Sequence, residues 1–168
     1  MKRIVSILIP LLFCASAGAQ DFIGELATLV KGAKVTCDYT YQTVSGTIFT
    51  GKGSAVLQGD CYLIKGNGLE ILSDGKTRWT VDPIGKEVYV EGATAFNKII
   101  ADIDSFLRGI PDLKYENGVL TGTVQFPGED FALFCTISNI KRESASQSKE
   151  FSFNTTGLDN SWVITDLR

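Results

Sequence analysis

The sequence predicts a mainly β protein with helices (α+β): a curved, incomplete antiparallel β-barrel of about ten or eleven strands with an amphipathic lid helix. Three observations carry this. Ile71 to Val90, ILSDGKTRWTVDPIGKEVYV, alternates apolar and polar residues between tight turns, the pattern of an antiparallel meander with one wet face. Short runs of the same kind, punctuated by Gly, Asn, Asp and Pro, fill most of the remaining chain. One segment, Thr94 to Ile110, changes to a helical period.

The elements follow in order. Residues 1–19 carry a basic start (Lys2, Arg3), an apolar run from Ile4 to Phe13 and the small residues Ala17-Gly18-Ala19. That is the pattern of a secretory signal peptide cut near Ala19. The run is too short for a membrane span and is broken by Pro10. Residues 20–168 are expected to form a single domain. Asp21 is placed to cap a helix reaching Lys31, with Phe22, Leu26, Leu29 and Val30 on one face. Ala33 to Val44 alternates as a strand with Val35, Cys37, Tyr39 and Tyr41 on one side. Thr47 to Gln58 is a second strand, where Gly51 and Gly53 predict a bend or bulge. Gly59-Asp60 and Gly66-Asn67-Gly68 turn the chain through two more short strands.

In the meander, Thr77, Trp79 and Val81 share a face opposite Arg78, Thr80 and Asp82, and Val88 and Val90 alternate with Glu87, Tyr89 and Glu91. Arg78 is expected to face solvent. Asp74 and Asp82 are explained by turn chemistry. In the helical segment Phe96, Ile99, Ile100, Ile103, Phe106, Leu107 and Ile110 form one apolar stripe, with Thr94 as the cap. Asn97, Lys98, Asp104, Ser105 and Arg108 are assigned to the wet side, and Gly109 with Pro111 ends the helix. Asn117-Gly118 signals a two-residue hairpin. Strands are then expected over Phe131 to Lys141, around Phe151 and Phe153, and over Trp162 to Leu167.

Composition excludes several functions. The chain has no histidine, which removes Ser-His and Cys-His nucleophile pairs and histidine-ligated zinc. Without Lys2 and Arg3, 14 basic residues face 19 acidic ones, a net charge of −5 with no basic cluster. Nucleic acid and anionic membrane surfaces are therefore poor partners. Cys37, Cys61 and Cys135 remain after export into an oxidising compartment, and the sequence leaves their pairing open. No catalytic residue, metal site or cofactor is expected.

A curled sheet either fills itself or holds a ligand. Bulky Phe and Ile along the helix favour a ligand, which would be apolar and acyl-like. The expected acyl-chain cavity and lid comprise Tyr39, Tyr41, Trp79, Val81, Val88, Val90, Phe96, Ile99, Ile100, Ile103, Phe106 and Leu107. Burial of one long chain is worth on the order of 10 kcal/mol before ordering costs. A helix whose own stripe can replace the guest would make that binding reversible.

Ser73-Asp74-Gly75-Lys76-Thr77-Arg78-Trp79, followed by Asp82-Pro83 and Lys86-Glu87-Val88, resembles the outer-membrane lipoprotein carrier protein family (LolA-like). The early helix, the strand order and the late helix follow that resemblance along the mature chain. It implies a periplasmic chaperone, acting as a monomer, that takes acylated lipoproteins or lipids from an inner-membrane ABC exporter to an outer-membrane acceptor. An alternative is a non-catalytic periplasmic lipid-binding or protein-interaction module on the same scaffold. One departure stands out. The family carries an arginine that bonds its lid, and here the corresponding stretch is Leu57-Gln58-Gly59-Asp60-Cys61-Tyr62-Leu63.

Overall fold

A computed structural model describes residues 19–44, 48–92, 95–125, 130–145 and 148–168. The expected signal sequence before Ala19 and the expected cap Thr94 lie outside the described residues. The chain is mainly β with few helices. Among the described residues ten strands form one sheet, in the order β10-β6-β5-β4-β3-β2-β1-β9-β8-β7.

Helix α1 (Ala19–Gly32) begins two residues before the expected cap and buries Ile23, Leu26, Ala27 and Val30. Strands β1 (Lys34–Thr43), β2 (Thr50–Gln58), β3 (Cys61–Gly66), β4 (Leu69–Ser73), β5 (Thr77–Asp82) and β6 (Glu87–Gly92) form an antiparallel meander. Helices α2 (Ala95–Ala101) and α3 (Ile103–Arg108) follow, then β7 (Lys114–Glu116), β8 (Val119–Gln125) and β9 (Ala132–Glu143), which returns to pair with β1. Strand β10 (Val163–Asp166) pairs parallel to β6.

Turn chemistry sets the hairpins. Asn67 and Gly68 have φ of 53° and 82°, and Asn117 and Gly118 of 52° and 79°, the paired positive values of a primed hairpin turn. Asp74 accepts from the Lys76 and Thr77 amides at 2.9 and 2.8 Å, and Asp82 from the Ile84 and Gly85 amides at 2.9 and 2.8 Å. Both carboxylates thus close turns, as the sequence indicated.

The sheet is open and not strongly curled; its edges, β10 and β7, do not meet. The register gives the reason. One cross-strand row runs Val35–Leu57–Tyr62–Ser73–Arg78–Glu91, and the row beside it, on the opposite face, runs Thr36–Val56–Leu63–Leu72–Trp79–Val90. The first is apolar at the β1 end and polar at the β6 end. The second has the reverse gradient. Closing a barrel asks for one face to stay apolar throughout. Here the apolar side changes over between β3 and β5, so each half of the sheet is covered on a different face.

Helices cover the first face. Ile23, Leu26, Ala27 and Val30 of α1 and Ile103 and Leu107 of α3 pack with Val35 and Leu120 of the sheet, and Phe22 stacks on Tyr115 with ring centroids 3.5 Å apart. The chain after β9 covers the other face. Leu72, Val81, Val88 and Val90 pack with Trp79, Phe153, Leu158 and Trp162. The strand expected around Phe151 and Phe153 is instead a 3₁₀ turn, Ser148–Phe151, and an irregular stretch before a second turn, Thr155–Gly157. Both edges of β9 are already taken by β1 and β8, so the segment cannot fold back beside the strand it leaves; it crosses the sheet face, where Phe151 is fully buried and Phe153 packs on Trp162. This crossing also explains why β10 and β6 pair in parallel, since β10 arrives over the sheet rather than through a hairpin.

Lys34 fastens that crossing. Its ammonium lies 3.0 Å from Glu150 and 3.2 Å from Glu143. The Glu150 hydrogen bond outweighs partial burial and, with Glu143, holds the Lys34 pKa above its ordinary 10.5. A raised folded pKa stabilises the fold below the ordinary value and loses that contribution as pH climbs through the raised one. Lys34→Met is expected to lower stability by up to about 1 kcal/mol at neutral pH. The gap to the parent in urea titrations should shrink above roughly pH 10.5.

Candidate functional site

The helical layer over the sheet is the candidate site. The α2–α3 stripe points inward: Ile100, Ile103 and Leu107 are buried, and Ile99, Phe106 and Ile110 are half-buried. The Phe96 side chain lies outside the described residues. The single expected helix is interrupted at Asp102, which takes φ −124° and ψ 53° and caps α3 by accepting from the Ser105 amide at 3.4 Å. Aspartate favours such a cap over a helix interior because its short carboxylate competes for nearby amides. Backbone bonds from Asp102 to Lys98 and from Phe106 to Asp102, each 3.1 Å, carry the chain across the break.

Asn97 corrects the expected wet face of the helix. It is only 6% exposed and heads the buried line Asn97–Ile100–Ile103–Leu107. Its amide nitrogen donates to the Ser73 hydroxyl at 2.8 Å, and Ser73 is fully buried beside Tyr62 in the cross-strand register. Arg78, expected in solvent, is the next residue along that row. It is half-buried, 3.6 Å from Glu91 through Nε and 3.4 Å from the Thr80 hydroxyl. The α2 end of the layer is therefore docked by a buried polar contact, and the α3 end by apolar packing.

The expected cavity residues do not share one space. Tyr39 and Tyr41 lie on the helical face, further along β1 than Val35. Trp79, Val81, Val88 and Val90 lie on the opposite face, under Phe153, Leu158 and Trp162. The sheet separates them from Ile99, Ile100, Ile103, Phe106 and Leu107. Alternation fixes which residues of a strand travel together, but a shift of one residue in register reverses the side they take.

Tyr39 and Tyr41 have a distinct role. Their rings are near parallel, 6.3 Å apart, and sit over Gly53 and Gly51, their cross-strand partners. No bulge occurs at these glycines, because β1 and β2 pair in unbroken register. The glycines instead clear space for the rings, a shielding that restores cover to glycine backbone. The bulge lies between β1 and β9, at Thr36 to Asp38, where Asn139 takes φ 52°. The Tyr41 hydroxyl accepts from Asn67 at 2.8 Å.

An open cleft of about 520 Å³ reaches Thr40, Gln42, Lys52 and Phe134 near this end. Its lining, which includes Tyr41, mixes polar and apolar groups. Cys37, Cys61 and Cys135 are free thiols. Burial, aided by the neighbouring Asp38, pushes Cys37 up to about 11, and burial with Asp60 does the same for Cys61. Both stay protonated and unreactive at neutral pH. Among the described residues no helix is long and apolar enough to cross a membrane, and no group of metal-ligating side chains comes together.

These features define a class: an open, mostly antiparallel sheet with a helical layer on one face and a C-terminal wrap on the other. No family model matches the chain, and no curated protein does. A solved structure of similar fold is that of an uncharacterized conserved protein from Thermus thermophilus, with a TM-score of 0.50 and 5% identity, covering 88% of this chain and 99% of that one. At that identity the likeness shows the fold alone.

Proposed function

We propose that the protein is a periplasmic carrier of acylated lipoproteins or lipids, holding the acyl chain between the helical layer and the sheet. The observation that carries this reading is the docking of α2 and α3. An inward apolar stripe meets an apolar half-sheet, yet its α2 end is held by the Asn97–Ser73 hydrogen bond. In this reading the described form is closed, and Ile100, Ile103 and Leu107 occupy the guest's place. Lifting α2 and α3 together, once the Asn97–Ser73 bond breaks, opens a trough over Val35, Leu57, Leu120 and Ile137. Asn97–Ser73 takes the part of the lid-bonding arginine that the family has and this chain lacks. An inner-membrane ABC exporter and an outer-membrane acceptor would be its partners. Trp79, Val81, Val88 and Val90 take no part in holding the chain.

The test is a fluorescent fatty acid titrated into the mature protein. Saturable binding is expected. Asn97→Ala removes about 1 kcal/mol from the closed form, so affinity should rise about fivefold, because less of the closed state has to be displaced. Absent binding, or an affinity unmoved by Asn97→Ala, sinks the proposal. The filled cluster under α1 and α3 favours a second reading, a non-catalytic interaction module whose interior never opens. That reading predicts no saturable binding for either protein.

A further inference from the structure

The sheet is open, so it has two edges, and they differ in character. At one edge β7 is three residues long and carries the exposed charges of Lys114 and Glu116. Short length and charge are the common protection of an edge against further pairing. At the other edge β10 and the residue after it carry Val163, Ile164 and Leu167, which are 59%, 46% and 61% exposed. Among the described residues no strand lies beyond either edge.

The hydrogen bonds of β10 show which of its groups stay open. The Val163 amide donates to the Lys86 carbonyl at 2.9 Å, and the Leu167 amide donates to the Val90 carbonyl at 2.8 Å. In a parallel ladder alternate residues bond to the same neighbour, so the backbone groups of Val163, Thr165 and Leu167 face β6. The amides and carbonyls of Ile164 and Asp166 therefore point away from the sheet. That spacing of donors and acceptors is one that an added strand satisfies.

We propose that this edge pairs with the β10 edge of a second copy, antiparallel about Thr165, so that two sheets join into one. Register and side-chain pattern select that occupant. With Ile164 and Asp166 as the open residues, the edge can meet itself centred on Ile164, on Thr165 or on Asp166. Centring on Asp166 sets two carboxylates against each other. Centring on Ile164 sets Leu167 against Ser161 and Trp162 against Asp166. Centring on Thr165 places Ile164 opposite Asp166 of the second copy, and each such pair exchanges both backbone hydrogen bonds. It also sets Thr165 on Thr165 and, on either side, Val163 on Leu167. Apolar and Thr–Thr pairs of this kind are favourable across a sheet. Asp166 brings no unpaired charge, since the Arg168 guanidinium holds it at 2.6 Å. An edge that matches itself in this way meets the condition of a two-fold contact, in which residue i touches j and j touches i. The pairing needs no guest chain, and it departs from the monomer that the resemblance implies.

Sedimentation velocity of the mature protein from about 1 µM to about 1 mM reads the association, since a contact one strand wide is weak. A dimer that grows with concentration is expected. Val163→Lys and Leu167→Glu each spoil both Val163–Leu167 pairs and should weaken the dimer about tenfold or more. Mixed one to one, the two variants should recover it, because the new lysine then faces the new glutamate. Neither residue belongs to a packed cluster, so thermal unfolding at low concentration and fatty-acid binding should stay at parent values. Thr165→Cys should be locked as a disulfide dimer by mild oxidation, since its two copies face each other as a non-hydrogen-bonded pair. Ile164→Cys should not, and nor should the parent, whose own thiols are Cys37, Cys61 and Cys135. A monomer at every concentration, which leaves the edge to a different partner or to none, overturns the proposal. So does a dimer that the single variants do not weaken, that their mixture does not recover, or that Ile164→Cys locks as readily as Thr165→Cys.

Discussion

Phe151→Ala is expected to destabilise the protein by about 3–5 kcal/mol, the range for emptying a fully buried aromatic site. Phe151 is 0% exposed and sits in the 3₁₀ turn that starts the C-terminal wrap. The loss is a large part of the ~5–15 kcal/mol that holds a domain of ordinary stability together. Its consequences should spread along the chain. Lys34 and Glu150 anchor the same turn, and Phe153 and Trp162 beyond it lie 6.4 Å apart over Trp79 and Val90. Release of the wrap exposes that cluster and frees β10 from β6. Equilibrium urea unfolding would measure the cost, and Trp79 and Trp162 fluorescence would report the wrap. A midpoint close to the parent's would show that the wrap is dispensable and that the sheet stands on its helical face alone.

The second large effect concerns Gly53. A Cβ there would lie 2.7 Å from the Tyr39 hydroxyl, 2.9 Å from the Gly66 Cα, and closer still to the Lys65 carbonyl oxygen. Backbone cannot swing aside as a side chain can, so Gly53→Ala should cost about 3 kcal/mol, the upper end for overpacking, or more. It should also loosen the β2–β3 pairing at that level. Gly51 makes the control. The three atoms nearest a Cβ there all belong to the Tyr41 side chain, which can rotate away, so Gly51→Ala should cost nearer ~1 kcal/mol. Tyr41→Ala should remove most of that penalty in a double-mutant cycle, whereas Tyr39→Ala should leave most of the Gly53→Ala penalty in place. Equal costs at the two glycines would contradict the account.

Much of the fold was legible because local rules and tertiary packing agree. The Val35–Tyr41 alternation, the Asp74 and Asp82 turns, the Asn117-Gly118 hairpin and the inward stripe of α2 and α3 all follow from side-chain period or turn chemistry. Among the features that were missed, three have separate reasons. The helix interruption had a signal, an aspartate three residues before Ser105, but the continuous apolar stripe outweighed it. Asn97 gave none. A single amide among apolar neighbours looks solvated until its partner, Ser73, is brought from 24 residues away. Phe151 and Phe153 alternate as a strand would, but the chain carries them across the face of the sheet on its way to β6.

Taken alone, the amino-acid order determined the kind of each element and the residues that move together on it, because backbone geometry alternates side chains every second residue in a strand and groups them every third or fourth in a helix. It also removed histidine chemistry outright. Only the assembled sheet decided which side of it each group would occupy. That choice rests on hairpin register, where one residue of slip reverses every side chain. It places Trp79 and Val88 behind the sheet and Ile103 in front, and so divides one imagined cavity into two packed layers.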